Sequence, residues 1–238
     1  MDVRRFRADL YELATRACSG DDQEVRSQIF GTADILVELY RKNFKINHPA
    51  LELVCARGLV KREYDIKVEH KLDKVLVCNV MGTRGDGILI VEIETGFIPP
   101  EAALEPSPYA RGRIASKIVR YSRLARKFAL GTTPSYVLDV PPFFARPLRE
   151  RTTEEVAETK ALTDVHYKKP PVTLDELMRA RLHSIFVVDV DSATTREVDP
   201  ETYLETATAF VEHSHSDQGL YRNPRLFRRG FILGEAAA

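Results

Sequence analysis

The chain has 238 residues, enough for one large domain or for a core domain with an appended subdomain. At 44% hydrophobic and 29% charged it has the balance of a folded globular protein, which excludes a disordered polyelectrolyte. Its 35 basic and 35 acidic residues cancel, so a polyanionic partner has to be met by a local basic surface and not by the field of the whole molecule.

Cys18, Cys55 and Cys78 are odd in number, far apart and without paired metal-ligand spacing, which reads as three buried or half-buried thiols in a reducing compartment. No apolar run approaches the ~20 residues of a membrane helix. The charged start, Met1 to Arg5, leads into an amphipathic pattern without a signal-peptide stretch, so the expectation is a cytoplasmic protein.

Helical periodicity covers residues 3–17 and 23–44, with Gly20-Asp21 between them supplying turn and cap chemistry. In the second segment Val25, Ile29, Ala33, Leu36, Val37 and Tyr40 share one face opposite Arg26, Asp34, Glu38 and Arg41. Residues 1–46 thus form an N-terminal helical segment. His48-Pro49 opens a third helix over 49–60. The period then changes: Tyr64, Ile66 and Val68 alternate with Asp65, Lys67 and Glu69, which predicts a half-buried strand over 64–70. Further strands follow over 74–81 and 88–94, joined by a glycine-rich turn at Gly82 to Gly87, and the three make an antiparallel meander. Four prolines interrupt residues 96–108. A long helix is expected over 109–130, stopping at Gly131, and a fourth strand over 135–140, closed by Pro141-Pro142. Helices near 152–164, 173–182 and 200–213 and a strand over 185–190 complete an extension at 146–213. A polar, then basic tail follows over 214–238 (Arg222, Arg225, Arg228, Arg229). The main domain, 47–213, is α/β with a mixed sheet flanked by helices.

Glu92 and Glu94 stand one residue apart on a strand otherwise made of Ile and Val, so both side chains point to one face. Neighbouring carboxylates repel, and burial of either is costly. A hard divalent cation held by oxygen ligands offsets both costs. If strands 74–81 and 88–94 pair as a hairpin, Asn79 lies beside Glu92 and completes an oxygen-lined cluster. The alternative is a solvent-facing acidic stripe on an amphipathic strand.

The stretches Val77-Cys78-Asn79-Val80 and Val91-Glu92-Ile93-Glu94-Thr95-Gly96, set in the order helix, three-strand meander, helix, strand, resemble the core of the PD-(D/E)XK phosphodiesterases. That family includes restriction enzymes, junction resolvases and repair nucleases, and its motif is an Asp at one strand end followed by Glu or Asp, any residue, and Lys on the next strand. The resemblance covers about residues 49–145 and implies a restriction-endonuclease-like fold and Mg²⁺-dependent hydrolysis of nucleic acid, with Mn²⁺ as a substitute. It implies DNA rather than RNA as the partner, with a homodimer among the arrangements allowed. It assigns Asn79, Glu92, Glu94 and the Ile93 carbonyl to the metal, with Glu52 on the preceding helix beside it. Glu94 stands at the family Lys position, and Lys117 on the following helix replaces that cation as a catalytic residue with Glu92, Glu94 and Asn79. Asn79 stands where Asp is expected and removes a unit of charge, which implies a weakened or inactivated site.

Between 109 and 130 lie Arg111, Arg113, Lys117, Arg120, Arg123, Arg126 and Lys127 with no acid among them, which points to a phosphate-facing surface. Lys117 and Tyr121 share one side of the helix, a spacing that resembles the Gln-x-x-x-Tyr element of some family members. Arg111, Arg113, Lys117, Arg120 and Tyr121 are therefore the candidate nucleic-acid-binding residues. His183, Asp189 and Asp191 are read as features of an edge strand, and His213 and His215 have no further metal ligand nearby. Two rival functions remain open: a nuclease-like module that binds nucleic acid or a protein without catalysis, and a scaffold whose activity lies in the N-terminal helices and residues 146–238.

Overall fold

The computed structural model describes residues 2–41, 48–167 and 170–216. The tail arginines therefore lie outside the described residues, as do the side chains of His213 and His215.

Three helices lead: α1 (Val3–Ala17), α2 (Gln23–Tyr40) and α3 (His48–Val60). Asp2 and Asp22 cap the first two by accepting the N–H of Arg4 and Val25. A meander follows, with β1 (Asp65–Lys71), β2 (Val77–Arg84) and β3 (Gly87–Glu94). Then come α4 (Pro106–Ser122), β4 (Lys127–Thr132), α5 (Thr153–His166), α6 (Leu174–Arg179), β5 (Ser184–Asp189), β6 (Thr194–Val198) and α7 (Pro200–Ser216). The fold is α/β. The strands form one six-stranded sheet in sequence order, with β1, β2 and β3 antiparallel, β3, β4 and β5 parallel, and β6 antiparallel at the edge.

Helices cover both faces. Leu10, Ile29, Leu36, Leu53 and Leu59 from α1 to α3 pack with Val80, Val91, Ile93 and Phe186 on one side. Ile114 and Ile118 of α4, Val156 of α5 and Tyr203 of α7 pack with Ile90, Phe128, Leu130 and Ile185 on the other. Strands buried on both faces become continuous apolar runs, which is why Phe128-Ala129-Leu130 and Ile185 to Val188 lack alternation. All three cysteines are free and buried. Among the described residues no helix is long and apolar enough to cross a membrane.

Several expected boundaries are corrected. The helix expected over 109–130 starts at Pro106, since proline is tolerated in a first turn, and ends at Ser122. Residues 127–132 are a strand: Phe128 to Leu130 gain burial between β3 and β5, and tertiary pairing overrides the helical propensity of the run. Residues 135–140, expected as the fourth strand, lie outside the sheet, where the Leu138 N–H donates to the Tyr203 hydroxyl oxygen at 3.0 Å. Gly82, expected in a turn, is paired within β2, and the hairpin turn is Gly85-Asp86. The strand read as an edge is β5, which is flanked on both sides; the edges are β1 and β6, and β6 is absent from the expected elements. Asp189 closes the β5–β6 turn by accepting the N–H of Asp191.

A half-buried ion pair fastens the N-terminal helices to α3. Arg57 donates to both carboxylate oxygens of Asp21 at 2.6 and 2.9 Å and to the Ala193 carbonyl at 3.2 Å. Lys61 stands 3.2 Å from the same carboxylate. The Arg57 hydrogen bonds hold the Asp21 carboxyl below its ordinary range despite burial. Its stabilisation is present above the unfolded Asp value of about 3.9 and is lost as pH falls through the depressed folded value. Asp21→Asn is therefore expected to cost roughly 2–3 kcal/mol at pH 7, with the deficit shrinking below about pH 4 in urea unfolding curves taken across that range.

Candidate functional site

Glu92 and Glu94 share the α4-facing side of β3 with Ile90, and each is only 3% exposed. That overturns the solvent-facing alternative, because a solvated stripe would leave the carboxylates in water. They are instead neutralised from α4. The Lys117 ammonium lies 3.1 Å from Glu92 Oε2 and 2.5 Å from Glu94 Oε1, and 3.5 Å from the Ile93 carbonyl. Arg113, one helical turn earlier and so on the same face, lies 3.4 Å from Glu94 and donates to the Phe97 carbonyl at 3.2 Å. Burial alone would lower the Lys117 pKa, but Glu92 and Glu94 outweigh it and hold the ammonium above its ordinary value. Burial pushes the Glu92 carboxyl up, against the pull of Lys117 and of the Asn79 N–H.

The loop leaving β3 is held by a close approach. Gly96 has φ +75°, and a Cβ there would come within 2.4 Å of the Tyr136 ring, so only glycine fits the turn that carries the chain away from Glu94.

The β2–β3 ladder stops beside these carboxylates. Pairing runs from Arg84↔Gly87 to Val80↔Val91, and side chains replace the next rungs. The Asn79 N–H donates to Glu92 Oε1 at 3.0 Å, and the Ile93 N–H donates to Asn79 Oδ1 at 2.9 Å. On the other side the β1–β2 pairs Val68↔Val80 and His70↔Cys78 flank a gap at Glu69, whose φ of +45° is unusual for a residue with a Cβ. Asn79 Nδ2 fills the gap by donating to Glu69 Oε1 at 2.8 Å and to Glu52 Oε1 at 2.9 Å. Tyr40 of α2 also donates to Glu52 Oε1, at 2.9 Å. Glu52 is fully buried, its Oε2 has no hydrogen-bond partner, and burial together with the Glu69 charge raises its pKa well above the ordinary range.

Glu52, Asn79, Glu92, Glu94, Lys117 and Arg113 are thus brought together. Three other candidates are not. Arg111 binds Asp139 with Nε at 2.9 Å. Arg120 donates to the Pro170 carbonyl at 3.0 Å and lies 5.7 Å from the centre of the Tyr167 ring. Tyr121 is buried, stacked on Phe128, with its hydroxyl donating to the Val77 carbonyl at 2.8 Å, so it is a wall and not a phosphate contact. The acid-free run of α4 finds its acids on other elements. Glu69 and Tyr40 were not legible as site residues. Glu69 sits at a polar position of a regular alternation, and only its left-handed backbone turns it toward Asn79.

By donor type the residues suit a hard divalent cation: Glu52 Oε2 is a buried oxygen without a hydrogen-bond partner, and Glu92, Glu94 and the Ile93 carbonyl supply further oxygens. The Asn79 oxygen already accepts the Ile93 N–H. Among the described residues no three His, Cys, Asp or Glu side chains converge as a metal-holding group, and the Lys117 ammonium supplies the positive charge between Glu92 and Glu94.

Glu52→Gln keeps an acceptor for Tyr40 and Asn79 and removes the ionisable proton. A carboxyl with a raised folded pKa stabilises fully below its unfolded value of about 4.3 and loses that contribution as pH rises. The variant is expected to match the wild type near pH 4 and to exceed it by about 1–3 kcal/mol at pH 8, read from chemical denaturation at both values.

No protein-family model, curated protein or solved structure matches the chain.

Proposed function

We propose that the chain is a divalent-metal-dependent nuclease of the PD-(D/E)XK type, hydrolysing phosphodiester bonds of DNA, with a site weakened by Asn79. The observation that carries this reading is the chain of contacts that links Glu52 to Asn79, Asn79 to Glu92, and Glu92 to Glu94 through Lys117 where the β2–β3 ladder ends. The order α3, β1, β2, β3, α4, β4, with β3 and β4 parallel across α4, supports a restriction-endonuclease-like arrangement.

Glu52, Glu92, Glu94 and the Ile93 carbonyl would hold Mg²⁺ or Mn²⁺. When bound, the cation supplies Lewis-acid polarisation of the scissile phosphate. Lys117, kept cationic by its carboxylate neighbours, is the group that can face the charge developing on the phosphate oxygens. Glu94 is the carboxylate available to take a proton from the attacking water. Arg113 orients Glu94 and holds the loop through the Phe97 carbonyl.

One observation favours a second reading, a nuclease-like module that binds nucleic acid without cutting it. The Asn79 amide is engaged on both sides, its oxygen by Ile93 and its nitrogen by Glu52 and Glu69. A neutral donor thereby does for those carboxylates what a cation would do.

Asn79→Asp separates the two. It removes the donors facing Glu52 and Glu69 and adds a carboxylate, so the variant should melt lower than the wild type without metal and recover more on adding Mg²⁺. With labelled single-stranded, duplex and branched DNA in Mg²⁺ or Mn²⁺, it should cut at least about tenfold faster than the wild type, a barrier change of about 1.4 kcal/mol. A further Glu92→Ala change should abolish the cutting. Binding without cleavage by every form would sink the nuclease reading in favour of the module.

A further inference from the structure

The basic run of α4 and the link after it divides into two parts with different partners. Its first part is neutralised near the carboxylates, where Arg111, Arg113 and Lys117 meet Asp139, Glu94 and Glu92. Its second part, Arg123, Arg126 and Lys127, lies toward the opposite end of the sheet, where β3 and β4 begin. From Leu89↔Lys127 to Glu94↔Thr132 the parallel pair runs six residues, five steps and roughly 16 Å at the strand rise.

Two cavities open at that end and share Arg126. One, of about 300 Å³, is walled by Arg84, Lys127 and Asp86 beside the β2–β3 turn. The other, of about 350 Å³, lies between the end of α4 and α6 and is walled by Arg123, Arg179, Arg181 and His183 with Asp175 and Glu176. Together they present six guanidinium or ammonium groups against three carboxylates, a surplus of three positive charges in a chain whose total is zero. Two of the acids are already engaged, Asp175 with Arg179 at 2.8 Å and Glu176 with Arg123 at 3.7 Å. Among the described residues, Arg84, Arg126, Lys127 and Arg181 make no ion pair with a carboxylate.

The walls are built, not merely decorated. Arg84 lies 4.9 Å over the Tyr64 ring and donates to the Arg62 carbonyl at 3.1 Å, which fixes its guanidinium. His183 Nδ1 accepts the Phe128 N–H at 3.1 Å, so the proton of the neutral ring is on Nε2 and the ring offers a donor. Burial first, and Arg181 and Lys127 nearby, lower the His183 pKa.

We propose that these joined cavities form a phosphate-binding strip for the backbone of a nucleic-acid strand, remote from the carboxylate cluster. From Arg84 on β2 to the start of β5 the strip crosses three inter-strand steps, about 14 Å. That span is too long for a single phosphate group and fits successive phosphates of one strand. Tyr64 in the lining has Arg84 over its ring, and the other groups offer charge and donors, so recognition is of backbone and not of sequence. The strip does not depend on catalysis at Glu92; it shares with the proposed function only the class of ligand.

The test is fluorescence anisotropy of the full chain with labelled single-stranded and duplex DNA across a salt series. Arg126→Gln/Arg181→Gln alters exposed side chains, and an unchanged circular dichroism spectrum and melting midpoint would show that the fold is intact. The double variant is expected to bind at least about tenfold more weakly, with the slope of log K against log salt reduced by close to two, the effect of two lost phosphate contacts. Charge-reversed Arg126→Glu/Arg181→Glu should weaken it further. Wild-type affinity and slope in both variants would overturn the proposal, as would a wild type that binds inorganic pyrophosphate at this site but not DNA. Failure of the nuclease reading looks different: Asn79→Asp would not cut, while the salt slope would still respond to Arg126 and Arg181.

Discussion

Two carboxylates buried on one face of a central strand set the terms for much of this structure. Glu92 and Glu94 lie where β3 would otherwise present apolar side chains to α4. Taking them out of water is tolerable only with positive charge and donors at hand. Lys117 supplies the charge from one turn of α4, and Arg113 adds to it from the turn before. The placement of α4 against β3 is therefore electrostatic as well as hydrophobic, with Ile114 and Ile118 packing on Ile90 along the same helix.

Asn79 performs a second task at the same place. Where the β2–β3 ladder ends, backbone N–H groups need new partners. The Asn79 oxygen and the Glu92 carboxylate take them, so site side chains replace ladder bonds. The same amide reaches across to Glu52 and Glu69, which lie on different elements. One neutral residue thus joins α3, β1, β2 and β3. An Asp here would put a third carboxylate beside two others, an arrangement that calls for a cation.

The distribution of positive charge follows from these commitments. Cations near the carboxylates are consumed in neutralising them, while those at the end of α4 and around α6 are in surplus. A chain without net charge can still carry a basic face, because the cancellation is over the whole molecule and not over each surface.

The amino-acid pattern by itself determined the amphipathic helices α1, α2 and α3, the meander, and the placing of Asn79 beside Glu92, since these rest on periodicity and short-range hairpin geometry. It determined the mixed α/β class through the order of those elements. It misplaced the end of α4 because Phe128-Ala129-Leu130 is apolar on every side, and a doubly buried strand carries no period to distinguish it from helix. It did not reveal β6, whose alternating polar sequence becomes a strand only by pairing with β5. Tertiary structure alone decided that Glu69 joins the site, through a left-handed backbone at the break in the β1–β2 pairing. It also decided which arginines of α4 meet acids, because those acids come from β3, α6 and the segment after β4, and no local spacing encodes a contact made between distant parts of the chain.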